Sequence, residues 1–490
     1  MAGRDATPKS AGPESYQNLL DAAAFGRLLQ VLQRPLAPAI RINTLKTSVE
    51  WAAEHWPTWY HWEIDPVPFC ATGWRVRPAP QPDGSYPDLD LARTPEHKSG
   101  QYYIQEAASM LPAEMFHLEG EPLVLDMAAA PGGKTTHLIS RLADRGLVVA
   151  NDSSARRIAS LRVNLQDWGA MNTVITRTLG ELWGGWYPEM FDRVLLDAPC
   201  SGQSLRAAER RKSRPVSDKE RRSLQSQQIR LLVSGFQALR PGGELVYATC
   251  TLHPDEDEAV LEALLTRYPE AAAVASVEHL VEAPALLTAG EQRFHSAVGR
   301  AVRLWPHLYD TAGFFAALIR KQESVPAAPA APPPARPLRE QGFRPLKAAE
   351  RTELLDGLRQ QFGFDLEAVV EHQALALWKQ RERIFALPEL YLSLLANLPA
   401  VTAGMLIAER KGGKLIPSHE LVSRFADRFT AGRLTISVQD GERWLMGHEL
   451  RRRDMQAGVV LVQDERGRQL GRGKVVGERI RNLLPRRLVY

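Results

Sequence analysis

Two cysteines and one aspartate carry the most reactive chemistry in this chain. Phe191-Asp-Arg-Val-Leu-Leu-Asp-Ala-Pro-Cys-Ser-Gly202 reads as a buried strand whose carboxyl end bears Asp197, Pro199 and Cys200. Glu244-Leu-Val-Tyr-Ala-Thr-Cys-Thr251 is a second such run, and it delivers Cys250 to its own end. Taken singly, each thiol reads first as a small buried hydrophobe. Together they end two strands expected in one sheet, at the edge where active sites of open α/β sheets lie, and with Asp197 beside them the reactive reading prevails. A thiolate adding to C6 of a pyrimidine turns C5 into an enamine carbon that can attack a methyl donor. A neighbouring carboxylic acid can stabilise the adduct through the ring nitrogen, and a base must then remove the C5 proton.

The element that must position them runs Leu123-Val-Leu-Asp-Met-Ala-Ala-Ala-Pro-Gly-Gly-Lys-Thr-Thr-His-Leu138. Leu123 to Leu125 reads as a buried parallel strand, Ala129 to Gly133 as a tight turn, and Lys134 to Leu142 as a helix. Small residues let main chain approach a ligand, and the first N–H groups of the helix offer donors to an anion. The dinucleotide and phosphate-loop glycine spacings are both absent, so a nucleotide-like ligand of another kind is expected; an ordinary strand-to-helix turn is the plain alternative. Gly146 to Asp152 reads as the next strand and Ala155 to Gly169 as its helix. Asp152 lies roughly twenty positions past the turn, where such sites present a carboxylate to ribose hydroxyls, and it could equally cap the helix.

The remaining elements are coarser. A helix is expected over Tyr16 to Leu32, a half-buried strand over Ala39 to Lys46, a helix over Val49 to Trp56 and a strand over Phe69 to Val76. Arg41, Asn43 and Lys46 read as solvent-facing, with RNA backbone contact as the less common alternative. Gly100 to Ser109 leads into a helix that could wall the ligand cleft. Arg206 to Arg222 reads as a solvated charged loop, Leu224 to Leu239 as a helix, Pro241-Gly-Gly243 as a turn and Asp255 to Tyr268 as a helix. Arg303-Leu-Trp-Pro-His307 reads as a loop and Gly313 to Lys321 as an antiparallel closing strand.

Ser324 to Pro337 is almost wholly alanine and proline, an extended linker with no core of its own, so a separate unit should begin after it. Helices over Lys347 to Phe362 and Asp365 to His372 precede expected strands at Arg383 to Phe385, Glu389 to Ser393, Gly404 to Glu409, Val459 to Gln463 and Gln469 to Val476, suggesting a small barrel. Basic residues punctuate this tail: Arg410, Lys411, Lys414, Arg451 to Arg453, Arg466, Arg468, Arg472, Lys474, Arg479, Arg481, Arg486 and Arg487. That density favours a nucleic-acid surface.

At 490 residues the chain exceeds one compact core. Its hydrophobic content of 44%, charged content of 24% and net charge of +4 suit a globular enzyme that meets a polyanion over part of its surface. No apolar run approaches membrane-spanning length and Met1 to Gly12 lacks a signal-peptide core, so a cytoplasmic protein without membrane partners is expected. Three cysteines, Cys70, Cys200 and Cys250, are too few and scattered for a disulfide framework or a zinc site, and no metal is expected.

Ala128-Ala-Ala-Pro-Gly-Gly-Lys134, Asp197-Ala-Pro-Cys-Ser-Gly202 and Thr249-Cys-Thr-Leu-His-Pro-Asp-Glu-Asp-Glu258 together resemble the Sun-type family of RNA cytosine-5 methyltransferases. Arg41 to Lys46, Gln101 to Glu106 and Arg303 to His307 resemble its flanking motifs. Ala408 to Ser418 and Gly471 to Val489 resemble the tail of the bacterial branch that modifies a cytosine of small-subunit (16S) ribosomal RNA. The resemblance implies an α/β fold: a Rossmann-like methyltransferase core (97–322) using S-adenosylmethionine, a small N-terminal α+β module (1–96), a linker (323–341) and a C-terminal PUA-like β-rich domain (342–490). It implies that Ala128, Ala129, Ala130, Pro131, Gly132, Gly133 and Lys134 hold the methionine and ribose portion of the cofactor, with Asp152 on the ribose. Asp197 would lie between cofactor and base, Cys250 would be the nucleophile, and Cys200 would assist breakdown of the adduct. The expected partner is RNA, and the expected state a monomer. Three motifs depart from the family pattern: Leu179 stands before Gly180 where an Asp is usual, Gln203 and Ser204 follow the Pro-Cys-Ser-Gly run, and Asp257 replaces Asn. Leu179, Gln203 and Ser204 motivate a second reading, an RNA-binding assembly factor whose core has lost turnover; a transfer-RNA substrate is a further alternative.

Overall fold

The computed structural model describes residues 12–489 except 82, 207–214, 329 and 333–335. The expected helix over Tyr16 to Leu32 is two pieces, a 3-10 turn Pro13–Leu19 and α1 (Ala22–Leu32), because the Asp21 side chain accepts from Ala24 N and restarts the helix there. The N-terminal module is a four-stranded antiparallel sheet, β2-β3-β1-β4, built from β1 (Ala39–Ile42), β2 (Trp62–Val67), β3 (Cys70–Pro78) and β4 (Tyr102–Ile104). Helix α2 (Val49–Tyr60) closes one face over buried Trp56, Trp74 and Tyr102. The stretch expected to lead directly into a helix therefore first supplies β4, whose Tyr-Tyr-Ile run suits a strand pairing with β1.

The core sheet holds β5 (Leu123–Asp126), β6 (Leu147–Asn151), β7 (Thr173–Thr176), β8 (Phe191–Asp197), β9 (Leu239–Thr249), β10 (Ala272–Ala275) and β12 (Phe314–Lys321), with β11 (Val302–Leu304) paired to β12. The order is β10-β12-β9-β8-β5-β6-β7, and β6, β5, β8 and β9 run parallel. Strand order reverses at β5, with β6 on one side and β8 on the other. The crevice outside the carboxyl end of β5 is thus the topological switch point. Helices α3 (Gly133–Arg141), α4 (Ala155–Trp168), α5 (Asp218–Ala238) and α6 (Glu258–Arg267) cover the sheet. Pro241 to Gly243, expected as a turn, is absorbed into β9 at a register irregularity against β8. Arg303, expected in a loop, lies in β11. Residues 207–214 of the charged run after Arg206 lie outside the described residues, and its end, from Asp218, is the first turn of α5 and not a loop.

The region beyond the linker is not wholly separate. Its strand Ala400–Ala403 pairs antiparallel with β7 and extends the core sheet, covering the polar edge β7 would otherwise expose. The rest forms two five-stranded sheets in place of one small barrel. Glu389 to Ser393, expected as a strand, is the helix Glu389–Leu394; Tyr391 and Leu395, one turn apart, are both buried in the core cluster.

Several residues expected to face solvent turn inward. Arg41 and Asn43 are fully buried, and Lys46 donates to the Ser99 and Asp167 carbonyls and to Ser423 Oγ at 2.6–2.7 Å. Asn43 Nδ2 bridges the Gly100 and Trp168 carbonyls at 2.7 and 2.9 Å. These contacts weld the N-terminal module to the core. Several tail cations are likewise braces: Arg468 pairs with Asp464, Arg487 with Asp167 and Glu420, Arg410 with Glu353, and Arg472 donates to the Pro417 and Leu483 carbonyls. Among the described residues no helix is long and apolar enough to cross a membrane.

Candidate active site

The loop from β5 to α3 is held open by its neighbours. Gly132 sits at φ +115°, where a side chain would be strained and its Cβ would press on Leu161 at 3.3 Å. Ala129 N donates to the Asn151 carbonyl at 2.7 Å, Ala130 N to Asp152 Oδ2 at 3.3 Å, and Asn164 Nδ2 to the Pro131 carbonyl at 2.7 Å. Arg41, from the N-terminal module, donates to the Gly133 carbonyl and Thr136 Oγ1 at 3.1 and 2.7 Å. Asp126, at the end of β5, is 1% exposed; its Oδ2 accepts from Thr135 Oγ1 at 2.7 Å, while its Oδ1 is buried with no partner among the described residues. Burial pushes its pKa up to about 7, with Asp197 adding to the rise.

Asp152 lies at the carboxyl edge beside this loop and is 2% exposed. It does not cap the helix, a role taken by Ser154; its Oδ1 accepts from Ser154 N at 2.9 Å, and Arg157 lies 3.4 Å from its Oδ2. Asn151, the residue before it, ties three strand ends together by donating to the Met127 and Thr178 carbonyls and accepting from Thr176 Oγ1 and Thr178 N.

The two thiols converge. Cys200 Sγ and Cys250 Sγ are 3.1 Å apart, in hydrogen-bond contact, and both are partly exposed. Lys134 Nζ donates to Asp197 Oδ2 at 2.6 Å, with the two side chains 12% and 34% exposed. Burial disfavours the Lys134 ammonium, but Asp197, and behind it the Cys250 sulfur, outweigh that and hold its pKa above the ordinary lysine value. The Cys200 thiol is pushed well above the ordinary cysteine value by its hydrogen bond to Cys250, then by burial.

A buried network fixes both cysteine loops. Glu256 Oε2 accepts from Ser201 N at 2.9 Å and from Gln228 Nε2 at 3.1 Å, while the same Gln228 nitrogen donates to the Pro199 carbonyl at 2.9 Å. Ser201 Oγ reaches Thr251 Oγ1 at 3.1 Å. Behind them Arg303, wholly buried, donates to Glu258 Oε1 and the Leu252 carbonyl at 2.8 and 2.7 Å and to Asp257 Oδ2 at 3.3 Å. Asp257 also accepts from Thr249 Oγ1 at 2.5 Å. Gln203 and Ser204 serve mainly through main chain: the Gln203 carbonyl accepts from Tyr16 Oη at 3.2 Å and Leu252 N at 3.3 Å, and the Ser204 carbonyl from Gly313 N at 2.8 Å. Leu179 is 59% exposed.

Glu256, Gln228, Asn151 and Asp126 were not singled out from sequence. Gln228 carried a signal: it shares the i, i+3, i+4, i+7 stripe of α5 with Leu231, Leu232 and Gly235, where a lone amide marks a buried hydrogen-bonding role. Cys70 lies elsewhere, in β3, where its sulfur approaches His137 Nε2 at 3.9 Å, and that nitrogen lies 2.9 Å from Glu114 Oε1. Ligand-type atoms of these three residues all lie within 4.8 Å of one another. Burial pushes the Cys70 thiol up to about 12 and His137 down to about 4, which leaves both neutral near pH 7.

With this geometry in hand, comparison with known proteins is direct. The model of 16S rRNA methyltransferase RsmB/F matches residues 113–320, and that of the N-terminal domain of 16S rRNA methyltransferase RsmF matches residues 13–107. Ribosomal RNA small subunit methyltransferase F of Erwinia tasmaniensis is 34% identical over 486 residues, covering 97% of this chain and 95% of that protein. A methyltransferase homolog from Pyrococcus horikoshii, known by crystal structure, is 30% identical with a TM-score of 0.53, covering 62% of this chain and 92% of that one. NSun6 from Pyrococcus horikoshii with SFG shares the fold at 21% identity and a TM-score of 0.52, over 65% of this chain and 99% of that one. The chain belongs to the S-adenosylmethionine-dependent 16S rRNA methyltransferases of the RsmB/F family.

Proposed function

We propose that the protein methylates C5 of a cytosine in small-subunit ribosomal RNA through a covalent adduct between Cys250 and C6 of the base. The observation that carries this is the 3.1 Å approach of two sulfurs at the carboxyl edge of β8 and β9, with the Lys134–Asp197 pair beside them.

The residues around the β5–α3 loop fit S-adenosylmethionine: an orphaned buried oxygen on Asp126, a left-handed glycine that keeps side chain out of the loop, and the Asp152 carboxylate at its rim. When bound, the cofactor supplies an electrophilic methyl group. Ala128 to Lys134 would hold its methionine and ribose portions and Asp152 would face the ribose hydroxyls.

The hydrogen bond to Cys250 and burial both disfavour the Cys200 thiolate. Cys250 takes the part of nucleophile that the resemblance of its motif implies. Its sulfur adds to C6, and the electrons of the C5–C6 double bond move toward C4 and N3. The Lys134 ammonium, held beside the base by Asp197 at 2.6 Å, offsets that negative charge, while Asp197 accepts from the exocyclic amine on C4. C5, now nucleophilic, would face the cofactor held by Ala128 to Lys134, which would supply the methyl group and keep the electron pair of the broken S–CH3 bond as a neutral thioether. Breakdown requires the C5 proton to pass to a base and the C6–S bond to break with its electrons returning to Cys250; Cys200, in contact with that sulfur, stands beside both events.

The test uses purified protein, S-adenosylmethionine and 16S ribosomal RNA or small subunits, read by bisulfite sequencing. Wild type should protect one or a few cytosines from conversion, and Cys250→Ala should protect none. Cys200→Ala should accumulate a protein–RNA species stable to denaturant, and Cys250→Ala should not. The reverse pattern would exchange the two sulfurs, and no methylation together with no calorimetric binding of S-adenosylmethionine would instead support a non-catalytic assembly factor.

A further inference from the structure

Where the N-terminal module meets the C-terminal sheets, a cleft of about 520 Å³ is lined by Ser48, Trp51, Gln101, Asp427, Arg466 and Gln469 among others. A second hollow of about 430 Å³, reaching Arg424 and Arg428, shares Lys46, Thr47, Ser48, Ala426 and Asp427 with it, so the two form one groove. Trp51 is 36% exposed at its side. Its ring is held flat on His55, with centroids 4.4 Å apart and planes 17° from parallel, while Trp59 packs edge-on to Trp51 at 5.5 Å. The Arg466 guanidinium lies 5.1 Å over the Trp59 ring, and that of Arg428 lies 5.5 Å over Phe425. Both arginines are exposed, and among the described residues neither forms an ion pair with a carboxylate. Lys46 lines the groove, but its ammonium is consumed by three acceptors at 2.6–2.7 Å.

Rigid, half-exposed aromatic rings flanked by unpaired cations are the components of a site for single-stranded nucleic acid, where bases stack and phosphates meet guanidinium groups. An acidic peptide would satisfy the arginines but would gain little from the ring face of Trp51. We propose that this groove binds an unpaired segment of the substrate RNA, one base stacking on Trp51 and the adjoining phosphates meeting Arg466 and Arg428. The proposal rests on the RNA-modifying reading above and adds a grip away from the target base. Asp152 precedes α4 beside the cofactor loop, whereas Lys46 meets the Asp167 carbonyl at the other end of that 14-residue helix, about 21 Å away at 1.5 Å per residue.

The experiment measures the affinity of the full-length protein for a fluorescein-labelled, unstructured 12-nucleotide RNA by anisotropy across a salt series. Trp51→Ala should weaken binding about ten-fold, and Trp51→Phe should stay within about two-fold of wild type. Arg466→Ala should reduce the slope of log affinity against log salt by about 0.7. Affinity of Trp51→Ala within two-fold of wild type, or equal binding of an unstructured acidic peptide, would overturn the assignment. Bisulfite readout of the target cytosine runs in parallel: methylation retained with RNA affinity indifferent to Trp51 defeats this groove alone, whereas absence of methylation by wild type defeats the functional reading alone.

Discussion

Two ion clusters serve the same sheet edge, and they differ in access to solvent. Lys134 and Asp197 meet in the crevice with side chains 12% and 34% exposed. Arg303, Asp257 and Glu258 form a sealed layer behind the Cys250 loop with no exposed side-chain surface. The open pair can exchange protons and hydrogen bonds with a substrate because each partner keeps a face toward it. The sealed cluster cannot; its arginine spends its donors on two carboxylates and the Leu252 carbonyl, and so fixes the loop that carries Cys250. Position at the edge is therefore not enough to make a charged group reactive, and burial separates chemistry from architecture.

Breaking the sealed cluster should cost most. Arg303→Met strands two buried acids, and we expect a loss of about 3–5 kcal/mol in denaturant unfolding; an unchanged midpoint would mean that the cluster bears no structural role. Lys134→Met should do the opposite, lowering the single-turnover rate of methyl transfer by about 100- to 1,000-fold with little change in melting temperature. If its stability falls further than its rate, the distinction between the two clusters fails. A pH test sharpens it with a third buried group. His137 faces Glu114, Cys70, Arg41 and Arg141, and burial, then Arg41, lowers its pKa from 6.5 to about 4. Folding therefore excludes a proton that the unfolded chain binds, so this contribution is complete above pH 6.5 and is lost as pH falls through 6.5 toward 4. The loss should be on the order of 3 kcal/mol, and His137→Gln should flatten that part of the stability–pH curve relative to wild type. The smallest effect is expected at the far end of α4, where Arg487 meets Asp167 and Glu420 at 2.9 and 3.0 Å with its side chain 29% exposed. Arg487→Ala should cost no more than about 1 kcal/mol, leave the rate of transfer unchanged, and quicken proteolytic release of the C-terminal region.

Much of the core was legible because apolar runs with turn residues at their ends leave little choice: β5, β6, β8, β9 and β12 fall where the runs predict. The convergence of Cys200 and Cys250 was legible for the same reason, since two parallel strands that end in cysteine must present them at one edge. What misled was polarity. Arg41, Asn43, Lys46, Arg468 and Arg487 look like surface residues by type, yet each satisfies donors or charges across a junction between modules, and no local pattern announces a partner hundreds of residues away. The helix Glu389–Leu394 and the strand Ala400–Ala403 were misjudged because packing on the core decided both.

By itself, the sequence determined the α/β alternation, the tight loop between β5 and α3 and the identity of the sulfur and carboxyl groups, because these follow from local hydrophobic period and residue chemistry. Only the tertiary structure decided which charges are open and which are sealed, that Glu256 and Gln228 hold the cysteine loops, and that the tail completes the core sheet. Each of those depends on burial and on contacts between distant segments, which exist only once the chain is folded.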